Sequence, residues 1–159
     1  MSHLIQTLDE LSDAAVAKLL QDGKRALAEN SLKAYRPYPK QREFHRSGGP
    51  LHIRERLLMA ANQVGKTWAA GAEHAMHLTG EYPDWWDGPY FDSEVVGWAA
   101  SETGQSTRDT VQRILLGQPG SWGTGALPKS CILETKKSPH GGSDSVETGP
   151  GRHRPGGIS

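Results

Sequence analysis

The chain has a single cysteine, Cys131, so no intramolecular disulfide can close. A lone thiol fits a reducing compartment. There is no charge excess of either sign, since 18 Lys and Arg balance 18 Asp and Glu. That balance argues against a generic nucleic-acid binder held by bulk positive charge, and against an acidic tail protein. No run of about 20 apolar residues and no signal-peptide core occurs. The sequence therefore reads as a soluble, intracellular protein. Its 159 residues suit one domain or a piece of a larger one. No internal repeat is present.

What the chain does have is centred on Arg56-Leu57-Leu58-Met59-Ala60-Ala61-Asn62-Gln63-Val64-Gly65-Lys66-Thr67. An apolar run leads into a short polar loop, then Gly-Lys-Thr, then a helical pattern. This is the order of a phosphate-binding P-loop, in which backbone N–H groups and a helix N-terminus converge on an anion. Gly65 lets the main chain come close, Lys66 supplies a cation for β/γ-phosphates, and the Thr67 hydroxyl is the expected Mg²⁺ ligand. The first glycine of the usual pattern is replaced by Ala60, so the loop is a variant. The alternative for these residues is a strand-to-helix turn that binds nothing.

The flanks fill in an α/β pattern. Residues 2–29 carry Leu4, Leu8, Leu11, Ala15, Leu19 and Leu20 at helical spacing. They predict a helix or helical pair, either packed on the main domain or serving as an arm for a partner. Two prolines break residues 35–39, and a short helix is expected from Pro39 to about Arg46. Between Lys33 and Arg56 lie seven basic residues against Glu43 and Glu55. This segment is either a solvated surface or a face for DNA or phosphate. The loop's helix is expected from Lys66 to Leu78 with Gly80 as its stop, and it is small-sided: Ala69, Ala70, Gly71, Ala72, Ala75. His74 and His77 sit on it at i, i+3, but no third metal ligand is evident. The aromatic loop 81–92, with Trp85 and Trp86, reads as a plug over the end of a sheet rather than a base-stacking platform.

Residues 94–100 read as a further strand, and a helix is expected from about Gln105 to Leu116 with Val111, Ile114 and Leu115 inward. Residues 130–135 read as a third strand. Strand, loop, helix, strand, helix implies a parallel three-layer sheet. After Lys137 the composition changes. Residues 138–159 hold six Gly, three Pro and four Ser, with only Val146 and Ile158 as aliphatics, and are expected to be disordered. The domain reading is a helical segment over 1–30, a partial P-loop domain over 31–137, and a tail over 138–159.

Three phrases together resemble a known family: Tyr38-Pro39-Lys40-Gln41-Arg42-Glu43-Phe44, the Arg56–Thr67 stretch, and His77-Leu78-Thr79-Gly80-Glu81-Tyr82-Pro83-Asp84-Trp85-Trp86. They look like the N-terminal ATPase region of tailed-phage terminase large subunits, over roughly residues 30–137. The resemblance implies an α/β P-loop NTPase-like fold, a partial ASCE-type core, in the host-cell cytoplasm. It implies ATP and Mg²⁺ as cofactors, held by Asn62, Gln63, Val64, Gly65, Lys66 and Thr67. Lys66 would be the catalytic cation, Thr67 the metal ligand and Gln41 an adenine reader. The implied partners are double-stranded DNA, the terminase small subunit, the portal protein and further copies of the large subunit.

The strand ending in Asp-Glu that polarises the attacking water in such motors, and the nuclease domain, are not seen after Thr135. The expectation is therefore a truncated or frameshifted prophage terminase that binds nucleotide with little hydrolysis. The other reading is a non-enzymatic remnant or module that contacts DNA or a partner subunit. A small-molecule kinase shares the loop, but no arginine-bearing lid is visible.

Overall fold

The computed structural model describes residues 13–29, 31–49, 53–137 and 143–149. Five helices, a short 3-10 helix (Lys129–Cys131) and one antiparallel strand pair are the regular elements of the described residues. They are α1 (Asp13–Glu29), α2 (Ser31–Ala34), α3 (Pro39–Ser47), α4 (Lys66–Thr79), α5 over 104–116, β1 (Ile132–Lys137) and β2 (Ser143–Thr148). The first part of the expected N-terminal helix, over 2–12, lies outside the described residues.

Helix α4 is the centre of the packing. Its small residues let neighbours approach closely, so Ala69, Ala72, Ala75 and Met76 are fully buried with Leu32, Tyr35, Trp86, Leu116, Ala126 and Leu127 around them. The approach is close at Gly71, where an added Cβ would lie 2.5 Å from Ile114 Cγ2 of α5. Gly80 ends α4 in the left-handed conformation (φ 67°), and its N–H donates to the Met76 carbonyl. Helix α5 contains π turns over Thr107–Gln112 between short α segments. Its terminal carbonyls are not left unpaired. The N–H groups of Gly123, Ala126 and Leu127 donate to Leu116, Ile114 and Leu115 at 2.7–2.8 Å.

One expectation is not seen among the described residues, and one is corrected. The first is the parallel sheet. Residues 57–61 and 94–100 form neither helix nor ladder, and the sheet among the described residues is the antiparallel pair β1–β2. The fold is a mixed helical one with a small sheet. The reason is visible in the exposure pattern. Arg56, just before the first run, bonds to Glu73, and Gly97 in the second lies against His74, so each run meets the middle of α4 at one point. Their other faces are open, with Leu57, Met59, Val96 and Trp98 80–92% exposed. A parallel strand needs hydrogen-bonded neighbours as well as a helix on each face.

The correction concerns residues 143–149 of the expected tail; the rest of 138–159 lies outside the described residues. Ser143–Thr148 forms β2, pairing Thr135 with Val146 and Lys136 with Ser145. Val146 packs against the core, and the Thr148 hydroxyl donates to the Leu78 carbonyl at 3.2 Å. Backbone ladder bonds and one apolar contact suffice here, which a count of core-forming residues misses. The aromatic loop does act as a plug, but on helices: Trp86 is buried, and its ring N–H donates to the Pro89 carbonyl.

Candidate functional site: the turn before α4

The turn 60–67 closes on itself. Gly65 is the N-cap of α4 with φ 76°, and Gln63 also has a positive φ of 60°. These two left-handed residues bend the chain so that α4 begins at Lys66. The Lys66 ammonium then folds back over the turn, donating to the Ala60 carbonyl at 2.7 Å and the Ala61 carbonyl at 2.6 Å. Asn62, Gln63, Val64 and Thr67 are exposed on the turn and the first helical turn. The arrangement offers a cation, a hydroxyl and a helix N-terminus within one short stretch.

Gln41 comes to the same place from α3. Pro39 sits at the first position of this helix and Tyr38 is its N-cap. Gln41, buried, accepts from the Tyr38 N–H at 2.9 Å through Oε1. Its Nε2 donates to the Val64 carbonyl at 3.0 Å and the Gly65 carbonyl at 3.3 Å. A donor on one side and carbonyls on the other fix which end of the amide is which. The φ favours glycine here, and an added Cβ at Gly65 would lie 2.9 Å from Gln41 Nε2 and displace that amide. Beside this contact is a cleft of about 550 Å³, walled by Tyr35, Arg36, Tyr38, Gln41, Gly65 and Trp68.

Behind the turn lies a polar cluster that the sequence reading missed. Glu73, buried on α4, receives His45 Nδ1 at 2.7 Å, the Arg56 guanidinium, and His77 Nε2 at 3.4 Å. Burial alone would raise the Glu73 carboxyl, but the hydrogen bonds from His45, His77 and Arg56 outweigh it and hold the group well below the usual carboxylate range. Tyr35 stands 3.0 Å from His45 Nε2 and 3.4 Å from Gln41 Oε1, which joins the cluster to the turn. Burial, and then the Glu73 charge, push the Tyr35 hydroxyl up to about 12. One signal was available: Glu73 is a carboxylate on the same helical face as Ala69, Ala72 and Met76.

Other candidates disperse. His77 bonds to Tyr82 and Glu73, while His74 lies under Gly97 and is lowered by burial and by His77. No group of three potential metal ligands occurs among the described residues. In the basic segment, Lys40 pairs with Glu43, Arg42 with Asp87 and Arg56 with Glu73. No helix of the described residues is long and apolar enough to cross a membrane.

The family model for the N-terminal part of the T4likevirus-type terminase large subunit matches residues 57–153. The match continues past Lys137, so the change in composition there does not mark the end of family-like sequence. The large terminase subunit of Salmonella phage P22 is 37% identical over 150 residues, covering 83% of this chain and 30% of that protein. The chain thus spans about 30% of the length of this curated relative. No solved structure matches it significantly. With the family match spanning the turn, α4, the aromatic loop and both strands, the chain belongs to the terminase large subunit family.

Proposed function

We propose that this chain is the nucleotide-binding part of an ATP-driven phage DNA-packaging motor, and that the turn 60–67 is its phosphate-binding P-loop. The observation that carries this reading is the Lys66 ammonium folded over the turn at the start of α4, bonded to the Ala60 and Ala61 carbonyls. Those are contacts that phosphate oxygens can replace. The residues fit ATP–Mg²⁺. Gly65 and the backbone of Asn62, Gln63 and Val64 would line the phosphates, Lys66 would hold the β/γ end, and the Thr67 hydroxyl would bind the metal. The bound metal would neutralise charge on the phosphates. The chain's own residues place the phosphates: α4 fixes Lys66 and Thr67 one residue apart, and Gln41 holds the Val64–Gly65 backbone from behind.

The runs 57–61 and 94–100 belong in this proposal as neighbouring strands of a parallel ASCE-type sheet completed by further polypeptide. Both are near-continuous apolar runs, Leu57-Leu58-Met59-Ala60-Ala61 and Val95-Val96-Gly97-Trp98-Ala99-Ala100, as in strands buried on both sides in a larger sheet. Neither β1 nor β2 ends in an acidic pair, and the chain is proposed to bind nucleotide with little turnover by itself. Double-stranded DNA, the small terminase subunit, the portal and further copies of the large subunit are its proposed partners.

Melting the protein with and without ATP–Mg²⁺ tests the reading. Binding to the folded form raises Tm with ligand concentration, and an unchanged Tm at millimolar ATP–Mg²⁺ would reject it. A second reading, a non-enzymatic module contacting DNA or a partner subunit, draws on the exposure of Leu19 (56%) and Leu20 (60%) on α1. Salt-dependent DNA binding that ignores ATP would favour it.

A further inference from the structure

Resting on the nucleotide reading above, we propose that Glu73 is a positioning residue for the phosphate turn: through Arg56 it fixes where the run 57–61 lies along α4, and that hold persists when phosphate draws Lys66 off the turn.

The first ground is the placement of Glu73 relative to Lys66. Seven residues carry a helix through nearly two full turns and advance it by about 10 Å, so both side chains leave one face of α4. They meet the two ends of one stretch of chain. Lys66 donates to the carbonyls of Ala60 and Ala61 at 2.7 and 2.6 Å, and Glu73 Oε1 accepts from the Arg56 guanidinium. Four residues of extended chain reach about 13 Å, so the stretch 56–60 suits the spacing of its two ties. The Lys66 tie is the one that phosphate oxygens replace in the nucleotide reading. The Arg56–Glu73 tie lies behind the turn, with Glu73 buried. It holds the stretch against α4 in the loaded state as well as the empty one.

The second ground is how the pair is itself held. His45 Nδ1 donates to Glu73 Oε2 at 2.7 Å, which leaves Oε1 facing Arg56. On its other side the guanidinium donates to the Phe44 carbonyl at 2.9 Å and lies over the Phe44 ring, 4.7 Å from the centroid. Both members of the pair are therefore braced from α3. A buried ion pair adds little net stability over an apolar pair of similar volume, and its best-attested use is to set register. Register counts at this turn, because successive backbone N–H groups must all reach one anion together.

Titration of inorganic tripolyphosphate–Mg²⁺ into the full chain, at a temperature where each variant is folded, separates position from stability. Glu73→Gln keeps an acceptor for His45 and loses the charge that holds Arg56. Arg56→Met loses the guanidinium. Each is expected to weaken binding about tenfold, and the double variant by about the same factor rather than about a hundredfold, because the two act through one contact. A purely structural role would lower Tm in these proteins and leave the affinity of the folded form alone. Unchanged affinity in folded Glu73→Gln or Arg56→Met would overturn the proposal, and so would losses that multiply in the double variant. Arg56→Lys keeps the charge but not the planar fork, and is expected to lose about threefold. Should the other variants not fold, wild-type affinity in Arg56→Lys would overturn the proposal. If wild type itself does not bind tripolyphosphate, the nucleotide reading fails and this inference falls with it.

Discussion

Glu73 Oε2 accepts a hydrogen bond from His45 Nδ1 across 2.7 Å, with both side chains buried. The contact joins α3 to the helix that follows the turn, and Arg56 closes it from the third side. Removing one partner leaves buried donors unpaired. Glu73→Ala is therefore expected to cost about 3–5 kcal/mol, read as a fall in the urea midpoint at constant m-value.

The same pair sets an acid limit. Glu73 is held below its ordinary value of 4.5 by hydrogen bonds from His45, His77 and Arg56 that outweigh burial. A depressed carboxylate stabilises the fold fully above its unfolded pKa, and that contribution is lost as pH falls from there through the folded value. Stability of the wild type should thus decline below about pH 4.5. In Glu73→Gln the same pH series should be flatter. Parallel curves for the two proteins would remove Glu73 from the explanation.

At Gly71 the helices meet too closely for a side chain, with Ile114 Cγ2 2.5 Å from where a Cβ would stand. Gly71→Val should destabilise by about 1–3 kcal/mol through overpacking, despite removing a helix glycine. Paired Gly71→Val with Ile114→Ala should recover part of the loss in thermal melts.

How far these features were legible in the sequence depends on whether they are local. Helices α3 and α4 stood out because Pro39, Gly65 and Gly80 punctuate a short helical period. The turn was legible because Gly-Lys-Thr follows an apolar run. The strand pairing was not, because a short apolar run such as 57–61 or 94–100 suggests a strand and says nothing about which edge is available. Pairing of β1 with β2 was missed because backbone bonds carry it and composition does not report them. The Glu73–His45 contact joins residues 28 apart in sequence, and neither residue type marks a partner at that distance.

Leu57 and Trp98 are 81% and 92% exposed, so their replacement removes little burial. Leu57→Ser with Trp98→Ser should shift stability by no more than about 0.5 kcal/mol per site. It should reduce self-association, since exposed apolar runs are ready association surfaces. Light scattering against concentration checks this, and a large loss of stability would place these side chains in a core.

Gly65→Ala puts a side chain at φ 76° and within 2.9 Å of Gln41 Nε2. The left-handed conformation alone costs about 1–2 kcal/mol. The variant should lose about that much stability in denaturant titrations and bind tripolyphosphate–Mg²⁺ more weakly than wild type.

The most direct measurement is a calorimetric titration of ATP–Mg²⁺ into wild type and Lys66→Ala. Among the described residues the Lys66 side chain bonds to the Ala60 and Ala61 carbonyls on the exposed turn, so the variant should keep the wild-type melting behaviour. The account predicts binding by wild type and at least a tenfold loss in the variant, corresponding to about 1.4 kcal/mol. Equal affinity in the two proteins would contradict it, because the ammonium folded over the turn would then hold no phosphate.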